Sequence, residues 1–163
     1  MIISIQNKYT LKVDDFQFRC SIGKNGIKKN KKEGDRSTPK GIFRLSKVYY
    51  RSDRIKKFNC EIKKIKIHKY MGWCDDPKSK FYNKLINTRH KIKHEKLFRS
   101  DNKYNYLIEL DYNRKKIIPF RGSAIFLHIT KNYNPTAGCV AISTNDMRIL
   151  LKLIKKKTFI QIT

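Results

Sequence analysis

A mainly β fold of the β-rich α+β class, a mixed sheet or sandwich with one C-terminal helix, is predicted by three features of the sequence. Apolar and polar residues alternate along much of residues 2–50, two short apolar runs follow each other late in the chain, and one segment carries apolar residues at helical spacing. The 163 residues suit one domain with a real core, so 1–163 is read as a single unit. With 39% hydrophobic residues, 4 Pro and 7 Gly, the composition excludes disordered and collagen-like chains.

The elements follow in order. Ile3 and Ile5, then Tyr9, Leu11 and Val13, alternate with polar residues across a QNK turn, and Phe16, Phe18, Cys20 and Ile22 alternate again. This predicts an antiparallel meander. Gly23 to Lys40, rich in Gly, Lys, Asn and Asp, reads as a long exposed loop, and loops of that length are usually functional. It feeds a strand at IFRLSKVYY. The segment 51–121 is richer in charge and aromatics and is expected to carry a lid or insertion, with short alternations at Ile62, Ile65 and Ile67 and from Leu107 to Tyr112. Ser123 to Thr130, SAIFLHIT, is apolar except for His128, as in a central strand buried on both faces. After KNYNPTAG comes a second apolar run, CVAIS. Ser143 or Thr144 then caps a helix in which Met147, Leu150, Leu151 and Ile154 share a face and Lys155, Lys156 and Lys157 suit the C-terminal end. TFIQIT is the last strand.

Lys+Arg 39 against Asp+Glu 13 gives a net charge of +26, which favours anionic partners without choosing among them. The abundance of Lys, Ile and Asn together is equally what a coding bias would produce. No run approaches the roughly 20 apolar residues of a membrane span, and MIISIQNKYTLKV lacks the apolar region of an export leader. A cytoplasmic location is therefore expected as the sequence stands, and a periplasmic one if a leader is missing. Cys20, Cys60, Cys74 and Cys139 show no CxxC spacing, so reduced thiols are expected. His90 and His94 have i, i+4 spacing but lack the glutamate placement of HExxH, and no metal or other cofactor is expected.

One pair of residues suggests chemistry. Cys139 follows Gly138 at a loop-to-strand junction, where glycine permits close approach of another molecule and backbone amides can face an oxyanion. His128 ends the preceding apolar run, and an antiparallel return would bring imidazole beside thiol, as nucleophile and base. From residue pattern alone, a packed cysteine and a satisfied core histidine remain open readings.

GDRSTPKGIF (Gly34 to Phe43), GSAIFLH (Gly122 to His128) and PTAGCVAIS (Pro135 to Ser143) together resemble the L,D-transpeptidase catalytic domain of the YkuD type, over most of the chain. The resemblance implies a cysteine that attacks the third residue of a peptidoglycan stem tetrapeptide, releases D-alanine and forms a thioester, with histidine as base. It assigns Cys139 as nucleophile, His128 as base, Gly138 as the glycine before the nucleophile and Thr136 as the family's Ser/Thr. The amides of Gly138 and Cys139 would hold the oxyanion. Ala137 replaces the family's second histidine, and Ala141 stands where many members carry Arg or Asn. MGWCDDPKSKFYN and HEKLFRSDNKY look like a lid, with Trp73, Tyr82 and Arg99 as substrate contacts or ordinary packing, and Arg36 and Arg121 as further carboxylate ligands.

The expected function is an L,D-transpeptidase acting on a stem peptide or muropeptide. The alternative is a cytoplasmic L,D-carboxypeptidase with water as acceptor, favoured by the missing leader. A third reading, from another class, is a non-enzymatic basic binder of nucleic acid or anionic wall polymer. The dispersed basic residues and the lack of an RNA-binding aromatic signature or a helix-turn-helix pattern offer it little support, and no specific nucleic acid is expected.

Overall fold

The alternating segments are strands in the computed structural model, which describes residues 1–163. Along the chain they are β1 (Ile2–Gln6), β2 (Thr10–Val13), β3 (Phe16–Ser21), β4 (Ile27–Lys28), β5 (Thr38–Pro39), β6 (Gly41–Tyr50) and β7 (Lys64–Lys66). There follow β8 (Met71–Cys74), β9 (Leu85–Asn87), β10 (His94–Lys96), β11 (Tyr106–Leu110), β12 (Phe126–Ile129), β13 (Val140–Ile142), α1 (Thr144–Leu153) and β14 (Phe159–Ile162).

A nine-stranded sheet runs β11-β12-β13-β3-β2-β1-β14-β6-β7, and an added β11–β6 pairing closes it on itself. The closure works because two strands serve both halves. The first half of β6 pairs with β14 and its second half with β11, while β3 pairs with β2 along Phe16 to Arg19 and with β13 at Cys20 and Ser21. The result is a barrel-like sandwich, the arrangement expected when strands pass from one layer to the other. Inside lie the alternating residues of the meander, including Ile3, Ile5, Leu11, Val13 and Phe18, with Leu127, Ile129, Val140 and Ile142. Ser143 caps α1 by accepting the Asp146 N–H at 3.1 Å, and Met147, Leu150 and Leu151 close the core.

The segment 51–121 divides between two layers. β7 and β11 belong to the main sheet, whereas β8, β9 and β10 form a separate three-stranded sheet. The latter covers a second apolar cluster on the outer face, made by Tyr49, Trp73, Leu97, Tyr104, Leu107, Phe126 and Cys139 with neighbours. Strand β12 is thus buried on both sides, with Leu127 and Ile129 facing the barrel and Phe126 packed outward.

The structure corrects one step of the sequence reading: β13 lies parallel to β12, not antiparallel. Residues 130–139 run back along the 23–40 loop, where Thr136 N–H bonds Ile22 O at 2.8 Å and Lys24 N–H bonds Thr136 O at 2.9 Å. The chain therefore regains the start of β12 before β13 begins, which a parallel pair requires. The 23–40 loop also departs from the exposed segment expected, because Lys31, Ser37 and Thr38 are buried.

Candidate active site

Parallel pairing sets Leu127 against Val140 and His128 against Ala141, so alternation turns Phe126, His128, Cys139 and Ala141 to one face of the sheet. His128 and Cys139 are diagonal neighbours there. Both line a cleft of about 1230 Å³ between the 23–40 loop, the β8–β10 layer and the 130–139 loop. Opposite the imidazole, Ala141 contributes only a methyl group.

His128 Nδ1 lies 2.9 Å from Ile129 O. A carbonyl can only accept, so Nδ1 carries the proton and Nε2 presents a bare lone pair, which has no hydrogen-bond partner in the protein. Tyr104 packs edge-on against the ring at 5.4 Å, and its hydroxyl donates to Glu95. The thiol does not rest on the histidine. Cys139 Sγ–H donates to Ala124 O at 3.2 Å, and Phe126 N–H donates to the sulfur at 3.4 Å.

Burial sets both protonation states. It lowers the His128 pKa to about 4 against the opposing Ile129 carbonyl, with Lys103 and Arg99 adding to the shift. It raises the Cys139 thiol to about 12, helped by Glu95 and opposed by the Phe126 amide and Lys31. Both shifts favour the uncharged forms, thiol and neutral imidazole.

The Gly138–Cys139 turn is braced by Thr136. Its Oγ1 donates to Cys139 O at 2.6 Å and accepts from Gly138 N–H at 3.1 Å. The Gly138 amide is therefore engaged, contrary to the expectation that it faces an oxyanion, while Cys139 N–H has no partner. Asp35 knots the opposite loop. Burial disfavours its charge, but hydrogen bonds from Lys31, Lys32 and Ser37 outweigh that and hold its carboxyl below the ordinary range.

The other expected contacts separate into two groups. Arg36 and Arg99 line the cleft. The Arg99 fork already grips Asp101, at 2.9 and 2.6 Å. Trp73, Tyr82 and Arg121 do not line it. Trp73 is 1% exposed and donates to Asn83 Oδ1 at 2.9 Å, and the Tyr82 hydroxyl donates to Glu33 at 2.5 Å while accepting Gly122 N–H at 2.9 Å. Both are framework residues. The Arg121 side chain is exposed, and its carbonyl accepts the Tyr112 hydroxyl.

Sequence reasoning passed over Lys31, Glu33, Asp75, Glu95 and Tyr104, all in the cleft wall. It also passed over Asn83. That side chain accepts from Trp73 and Ala124 and donates to Tyr112 O and Asn113 O, tying the outer layer to the residue whose carbonyl holds the thiol.

The L,D-transpeptidase (residues 123–326) from Xylanimonas cellulosilytica aligns with 99% of this chain and 59% of its own at 12% identity, with a TM-score of 0.46. This chain thus spans less than two thirds of that structure. No curated protein matches. A model of the YkuD family, described as L,D-transpeptidase catalytic domain, matches residues 1–162, including both cleft walls and the Gly138–Cys139 turn. On that match, the closed β sheet carrying a cysteine and a histidine in one cleft belongs to the L,D-transpeptidase catalytic domain family.

Proposed function

We propose that the chain is a cysteine-dependent L,D-transpeptidase acting on peptidoglycan stem tetrapeptides through a Cys139 thioester. The observation that carries this reading is the shared cleft, in which a thiol, a neutral imidazole with an uncommitted Nε2 and the unpartnered Cys139 amide meet.

The thiol swings from Ala124 O, and Nε2 of His128 takes its proton as sulfur attacks the carbonyl carbon of the third stem residue. A thiol raised to about 12 beside an imidazole lowered to about 4 favours transfer concerted with attack, since a separate thiolate–imidazolium pair is costly in this buried site. The carbonyl electrons move to oxygen beside Cys139 N–H. Collapse breaks the C–N bond, and His128 returns its proton to the departing D-alanine amine. An acceptor amine then attacks the thioester, gives a proton to His128, and the thiol re-forms. Water in place of the amine makes the same site an L,D-carboxypeptidase.

The test is mass spectrometry of a tetrapeptide muropeptide incubated with the protein, with and without an added D-amino acid. Incorporation of the added residue, abolished in Cys139→Ala, is the expected result. Loss of one alanine alone assigns hydrolysis, and undiminished turnover in Cys139→Ala refutes the nucleophile.

A further inference from the structure

Lys31 is 3% exposed yet lines the cleft. Two glycines make room for it. A Cβ on Gly122, at φ +99, would lie 2.8 Å from Lys31 Cε, and a Cβ on Gly138, at φ +142, would lie 3.3 Å from Lys31 Nζ. The aliphatic stem therefore passes Gly122 and delivers its ammonium to the residue before the nucleophile. Nζ donates to Asp35 Oδ1 at 2.7 Å and, weakly, to Lys32 O at 3.4 Å. An ammonium has three donors, so one remains uncommitted.

Closing the loop does not account for this arrangement. Asp35 is also bonded by Lys32 N–H, Ser37 N–H and the Ser37 hydroxyl, at 2.9, 2.9 and 2.7 Å. A buried ion pair is weak evidence for a purely stabilising role, since an apolar chain of similar length fills such a channel without the desolvation cost. In the nucleophile turn, meanwhile, Gly138 N–H is committed to Thr136, so the Cys139 amide is the one unpartnered donor on the sulfur-bearing residue itself, and the other unpartnered amide, that of Ala137, belongs to an exposed residue two positions earlier.

We propose that Lys31 is a catalytic residue whose remaining Nζ–H donates to the acyl oxygen as it becomes negative, completing an oxyanion site with Cys139 N–H. The inference rests on the reading of Cys139 as nucleophile. Asp35 fixes the ammonium in advance, so little reorganisation accompanies the reaction. The Lys31 charge also favours ionisation of the Cys139 thiol against burial.

Three variants separate charge from scaffolding. Lys31→Gln keeps an amide donor for Asp35, Lys31→Met keeps only the stem as a second neutral variant, and Lys31→Arg keeps the charge. The readouts are the rate of Cys139 acylation by a carbapenem and the pH profile of Cys139 alkylation by iodoacetamide, resolved by peptide mass spectrometry. Lys31→Gln and Lys31→Met are expected to slow acylation on the order of 100-fold and to move alkylation to higher pH, with Lys31→Arg recovering most of both. Wild-type behaviour in the neutral variants overturns the proposal. So do equal losses in all three with lowered melting temperatures, which assign Lys31 to the loop. The alkylation profile is readable even if no acylation occurs in the unaltered protein, an outcome that strikes the nucleophile reading instead.

Discussion

His128 and Cys139 are shifted in opposite directions by burial, and both shifts favour the uncharged form. For His128 this has a stability consequence. The unfolded chain binds the imidazole proton below about 6.5, whereas the folded chain resists it until about 4. Stability is complete above the upper value and falls as pH drops through the window, by about 3 kcal/mol across its full width. Urea denaturation at pH 7 and pH 4.5 is expected to show a smaller acid loss in His128→Gln than in the unaltered protein; equal losses contradict neutral burial. Cys139 and His128 were legible in sequence because a Gly-Cys turn and a lone histidine in an apolar run stand out. Lys31 was not, because 39 Lys and Arg residues conceal one that folds inward. Its position depends on Gly122 and Gly138, both remote in sequence.

At the scale of elements, two-residue alternation located the meander, the strands IFRLSKVYY and TFIQIT were read as β6 and β14, the apolar runs located β12 and β13, and helical spacing with Ser143 located α1. Pairing direction was hidden, since nothing in KNYNPTAG states that the loop runs back beside Ile22 and Lys24 before β13 begins. The role of β11 was hidden too. Its neighbours β12 and β6 are distant in sequence, and its charged surroundings resemble those of the outer layer. That layer is fastened to the barrel at Asn83, which is 1% exposed and adopts φ 54. Removing its amide strands the Trp73 and Ala124 donors and two carbonyls. Asn83→Ala is accordingly expected to cost about 3 kcal/mol in urea denaturation and to slow Cys139 acylation through Ala124. A loss below about 0.5 kcal/mol, within the range of ordinary surface substitutions, contradicts that role.

Across the whole molecule, closure of the sheet fixes where the candidate site lies. Strands β11 and β12 present one set of residues to the barrel and the other to the outer layer, and the cleft opens where that layer meets the 23–40 and 130–139 loops. No helix is long and apolar enough to cross a membrane. The +26 charge is not uniform in effect, because Glu33, Asp75, Glu95 and Asp101 all line the cleft, although the chain has only 13 acidic residues. The candidate site thus lies in a mixed field on a basic surface. The proposed chemistry is read most directly by trapping the covalent intermediate it requires. After rapid acid quenching of the protein with a tetrapeptide muropeptide, peptide mapping should find the acyl group on Cys139, lost in Cys139→Ala and strongly reduced in His128→Gln. An acyl group on Cys20, Cys60 or Cys74, or turnover without any covalent adduct, would contradict the account.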